Sequence, residues 1–73
     1  MRVELRIDHY TIKLLIDDLI HVYILRDEFV GFQSWADKKD QYSIEFYTKT
    51  TSIHTEQDNK EKWLEILKEL NKL

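Results

Sequence analysis

At 73 residues and a net charge of −3, with 42% hydrophobic residues and no cysteine, the chain is one small domain without disulfides or thiolate zinc sites. Domains of this size bury only ~60–65% of their unfolded surface, so a dense core, a metal or an oligomer interface must make up the balance. Residues 1–36 hold six acids and four bases and residues 37–73 hold eight and seven; neither half is basic, which argues against a nucleic-acid binder.

Val3, Leu5 and Ile7 alternate with Arg2, Glu4, Arg6 and Asp8, the period of two of a half-buried strand. His9-Tyr10 turns the chain. Thr11 to Leu25 has two readings. As a helix, Ile12, Leu15, Ile16, Leu19, Ile20 and Tyr23 form a stripe. As strands, Thr11–Ile16 and Leu19–Leu25 flank a turn at Asp17-Asp18. The β-branched load favours strands, although Asp-Asp lacks the glycine that tight hairpin turns prefer. Arg26-Asp27-Glu28 breaks the pattern, and Phe29 to Ala36 reads as the next strand. Gly31, the only glycine, marks a bulge there or a backbone left bare for a ligand or partner.

Asp37-Lys38-Lys39-Asp40-Gln41 is a loop of alternating charge leading to Tyr42. Tyr42, Ile44 and Phe46 alternate with Ser43, Glu45 and Tyr47 in a further strand. Lys49-Thr50-Thr51 is a turn without Gly, Asn or Pro. The strand from Thr51 to Gln57 has one aliphatic residue, Ile53, a composition suited to a sheet edge. The period then lengthens, with Trp63, Ile66, Leu67, Leu70 and Leu73 forming the stripe of a helix over ~59–72. Asp58 is its expected N-cap, with Glu61 completing a capping box.

The Tyr42–Gln57 hairpin leading into a helix that carries Trp63 resembles the closing part of pleckstrin-homology-like domains. The resemblance covers under half of the chain and concerns shape alone. The basic inositide-binding loop of those lipid binders is missing, and no site residue carries over.

The chemistry-bearing residues are sparse. His9, His21 and His54 lack metal-ligand spacing, although His9 beside Asp8 or His54 near Glu56 would be the places to look. Asp17-Asp18 and Asp27-Glu28 sit at turns, where solvent keeps carboxylates ordinary. Ser34, Ser43 and Ser52 lie within strands without a nucleophile elbow. One glycine cannot build a phosphate-binding loop. The aromatic residues say more. If Val30 and Phe32 point inward, Gln33 and Trp35 point the other way; if Ile44 and Phe46 point inward, Glu45 and Tyr47 do. Trp35 and Tyr47 would then share an outer sheet face with Gln33 and Glu45, unless the Thr11–Leu25 segment covers them.

The expected fold is α+β: one domain over 1–73, an antiparallel meander of five or six strands with a C-terminal amphipathic helix packed on it. The expected function is a non-enzymatic protein-binding module without cofactor or metal, homodimeric, acting through Gln33, Trp35, Glu45 and Tyr47. Two alternatives stand beside it. One is a small inhibitor carried by a phage or mobile element and docking on a host enzyme; the other is a ligand-binding or enzymatic subunit completed at a dimer interface. The longest apolar-rich run, Leu14 to Leu25, carries Asp17, Asp18 and His21 and is too short to span a bilayer. With no leader and cleavage-site pattern evident, a cytoplasmic protein without membrane or nucleic-acid partners is expected.

Overall fold

A computed structural model describes residues 2–37 and 39–73. The chain runs β1 (Val3–Ile7), β2 (Thr11–Ile16), β3 (Leu19–Leu25), β4 (Phe29–Ala36), β5 (Tyr42–Thr48), β6 (Ser52–Gln57) and α1 (Lys60–Leu70). All neighbouring strands pair antiparallel, as expected. The six strands divide between two three-stranded meanders, β1-β2-β3 and β4-β5-β6.

Thr11 to Leu25 is a hairpin. Asp17 and Asp18 have φ of 52° and 65°, the left-handed conformation that both central residues of a type I′ turn need. Aspartate tolerates that region better than most residues. Here Asp17 is also tied down on both sides: its N–H donates to the Arg2 carbonyl at 2.7 Å, and its carboxylate accepts from the Arg2 N–H at 2.8 Å. Asp8 does similar work at the β1–β2 turn, accepting from the Tyr10 and Thr11 N–H groups at 2.8 and 2.7 Å and from the Thr11 hydroxyl at 3.0 Å. The β5–β6 turn has no positive φ and so needs no glycine; the Thr48 side chain ties it together. Its hydroxyl accepts from the Thr51 N–H and donates to the Thr51 carbonyl. Lys38, in the loop between β4 and β5, lies outside the described residues.

The two sheets face each other across one core. Val3, Ile12, Leu14, Val22 and Ile24 meet Ile44 and Phe46, and Ile66 and Leu70 of α1 close the cluster. Burying each such side chain contributes ~1.5–3 kcal/mol, the source of stability that a chain without disulfides requires. Trp63 anchors the start of α1: its indole N–H donates to the Ser43 carbonyl at 3.0 Å, and its ring lies 5.3 Å from that of Tyr42.

Three expectations need correcting. The N-cap is Asn59, whose side chain accepts from the Lys62 N–H at 3.1 Å, and not Asp58. Asp and Asn cap equally well, so composition did not discriminate between adjacent candidates. Leu73 falls outside the helix and is 45% exposed. Val30 does not point inward: Phe29 pairs with Thr48 and Gly31 with Tyr47, so Val30 is the extra residue of a bulge and is 66% exposed.

Candidate functional site

The register of the second sheet assigns its two faces. Phe32 pairs with Phe46 and Phe46 with Ile53, all toward the core. Their alternates therefore point away. Gln33 lies opposite Glu45, Trp35 opposite Ser43 and Gly31 opposite Tyr47; on the other side Glu45 lies opposite His54 and Ser43 opposite Glu56. Gln33, Trp35, Glu45 and Tyr47 thus share one face, turned away from the core that holds Ile12, Leu14, Val22 and Ile24 of the Thr11–Leu25 segment. That segment packs on the opposite side of the sheet.

The side chains on this face are linked. The Tyr47 hydroxyl lies 2.8 Å from Gln33 Oε1 and 3.1 Å from Glu45 Oε2. One phenolic proton faces two acceptors. Turning the Gln33 amide end for end lets its N–H donate to the phenol oxygen while Tyr47 donates to Glu45, an arrangement in which every group is satisfied. Burial first, then the hydrogen bond to the Glu45 carboxylate and its charge, push the Tyr47 phenol above its ordinary value. It is a neutral donor at physiological pH.

Trp35 and His54 stack with centroids 5.4 Å apart and planes 30° from parallel. They belong to β4 and β6, which flank β5, so the two rings meet above the central strand. His54 Nε2 is also 3.0 Å from Glu56 Oε1. Ser43, with Trp35 and Glu56 as register partners, is 1% exposed, and its hydroxyl oxygen has no hydrogen-bond partner. Leaving such a group unpaired ordinarily costs ~1–3 kcal/mol.

His54 is the member of this group to which the sequence reading assigned no role. A signal for it existed. Ile53, the lone aliphatic residue of β6, has to face the core, which turns His54 outward. The three histidines are dispersed: His9 meets Tyr10 edge-on at the β1–β2 turn and His21 is the extra residue where the β2–β3 register shifts. Among the described residues no three His, Asp or Glu side chains come together in a metal-binding arrangement. His9 and Asp27 line a hollow of ≈ 220 Å³, below the ~300–1,000 Å³ usual for ligand pockets. A larger groove of ≈ 370 Å³ lies between β1 and α1, floored by Val3, Leu5 and Ile66, and holds no histidine. Gly31 has no positive φ, and a Cβ built on it meets nothing within 4 Å. Sterics do not demand glycine there, and its bare backbone lies beside Tyr47.

On this face Trp35, Glu45 and Tyr47 are half-buried, while Gln33, His54 and Glu56 are exposed. The edge strand β3 carries the larger exposed apolar side chains. Leu19, Ile20, Tyr23 and Leu25 are each about half exposed or more, and the strand has no Lys, Arg, Asp or Glu. No family model, curated protein or solved structure matches the chain. Among the described residues no helix is long and apolar enough to cross a membrane.

Proposed function

We propose that the protein is a non-enzymatic protein-binding module acting through the outer face of the β4-β5-β6 sheet, with Trp35 and Tyr47 as its rings and Gln33, Glu45 and His54 as its polar contacts. One observation supports this reading above the rest: the register gathers these side chains on a face turned from the core, and the Tyr47–Gln33–Glu45 and Trp35–His54–Glu56 links hold them in place. A rigid aromatic surface loses little entropy on docking, which is why Trp and Tyr dominate binding hot spots. The test is parallel affinity capture from the native host with wild type and Trp35→Ala, with circular dichroism on both. A protein retained by wild type and lost with a folded Trp35→Ala supports the reading; identical captures contradict it.

Self-association has its own supporting observation. An edge strand that exposes apolar side chains and lacks formal charge offers unpaired backbone N–H and C=O groups without the charges that usually blunt such edges. A second copy fits it, because an uncharged strand meets no like-charge repulsion from itself. A homodimer through β3 leaves the outer face of the second sheet open for a partner.

A further inference from the structure

Charge on the proposed docking face is of one sign. By register its formal charges are the carboxylates of Glu45 and Glu56, and among the described residues it carries no Lys or Arg. Lys39 and Lys49 lie in the loops at the two ends of β5. Between and beside the carboxylates stand the Trp35 and Tyr47 rings, whose π faces attract cations. Ser43, opposite Trp35 and Glu56 in the register, is buried with its hydroxyl oxygen unpartnered.

Resting on the reading of this face as a protein-binding surface, we infer that its partner presents an arginine side chain, which stacks on the Trp35 ring and donates to the Glu45 and Glu56 carboxylates. Each group on the face matches one property of a guanidinium. Its plane stacks on an indole, its forked N–H donors match a carboxylate, and its weak hydration lets it leave water cheaply. Lysine shares the charge but offers neither the plane nor the fork. An acidic partner segment meets like charge, and an apolar one offers no donor to the carboxylate oxygens that Tyr47 and His54 leave open.

The experiment is a titration of the isotope-labelled protein with three synthetic peptides of the same Gly/Ser backbone, carrying two arginines, two lysines or two citrullines, followed by NMR. Citrulline keeps the shape of arginine and removes the charge. The amides of β2, in the other sheet, are the internal reference. The arginine peptide is expected to shift the Trp35 indole and the Gln33, Glu45 and His54 amides saturably, with citrulline at least tenfold weaker and lysine between the two. Glu45→Gln and Glu56→Gln should each weaken arginine-peptide binding several-fold while the spectrum stays dispersed. Added salt should weaken it further. Equal affinity for the arginine and citrulline peptides, or shifts confined to another surface such as the β1–α1 groove, overturns the inference. The two proposals fail separately: a captured partner lost with Trp35→Ala yet unaffected by Glu45→Gln and Glu56→Gln overturns the arginine assignment and leaves the docking face standing. A partner unaffected by all three overturns both.

Discussion

Single side chains at the turns decide where this chain bends, and two of them can be tested by substitution or pH. Three donors converge on the Asp8 carboxylate. The Tyr10 N–H, then the Thr11 N–H and the Thr11 hydroxyl, hold its pKa below the ordinary aspartate value. A carboxyl with a lowered folded-state pKa adds stability that is fully present above its unfolded value of ~3.9 and is lost as pH falls through the folded one. Thermal unfolding of the wild type should therefore show a steeper loss of midpoint below about pH 4 than Asp8→Asn, in which Glu4, lowered by its Arg6 hydrogen bond, still titrates. Identical acid profiles for the two proteins would remove Asp8 from the account. At the helix start, Asn59→Ala should cost about 1 kcal/mol, while Asp58→Ala, one residue earlier, should change stability by less than ~0.5 kcal/mol. Denaturant titrations of both variants check this, and a larger loss at Asp58 would contradict the observed cap.

At the scale of elements, legibility followed how far each segment is governed by its own neighbours. The strict alternation of Val3, Leu5 and Ile7 and the stripe of Trp63, Ile66 and Leu70 belong to elements with one buried face, and both are present. Gly31 marked the bulge in β4, and the register shifts there as expected. Not legible were Val30 as its extra residue and the bulge at His21, since each shift of phase suits a partner strand and not the strand's own sequence. That is why Val30 was expected inside and lies outside. The candidate face was readable because Gln33, Trp35, Glu45 and Tyr47 lie beyond the Val30 bulge, where alternation is regular. His54 could have been added by the same rule. Within α1 the packing has a sharp expectation. Leu70→Ala, at a site 2% exposed, should cost ~2–5 kcal/mol, whereas Leu64→Ala, 49% exposed, should stay within ~0.5 kcal/mol. Equal midpoints for the two variants would mean that α1 does not pack as described.

For the molecule as a whole, the six strands split into two sheets because each meander needs its apolar face covered, and facing each other with α1 closing the core covers both. The split leaves outer faces and edges exposed, and the account gives them separate roles. Leu19→Lys, at an exposed position of the β3 edge, should leave the fold intact and convert a dimer to a monomer, read by sedimentation equilibrium at micromolar concentration. A wild type that sediments only at the mass of one chain would contradict self-association. Gly31→Ala should be tolerated in folding, since a Cβ has open space there, so any effect on binding would report the bare backbone beside Tyr47.

The central claim, that the molecule works through its outer sheet face, is tested most directly by calorimetric titration of a captured partner against wild type and Trp35→Ala, with circular dichroism on the same samples. Truncating a central hot-spot ring costs about 2 kcal/mol or more, so the account requires affinity to fall about 30-fold or more with the spectrum unchanged. Unchanged affinity in a folded Trp35→Ala would show that the partner docks elsewhere, and an unfolded Trp35→Ala would show that the ring belongs to the core.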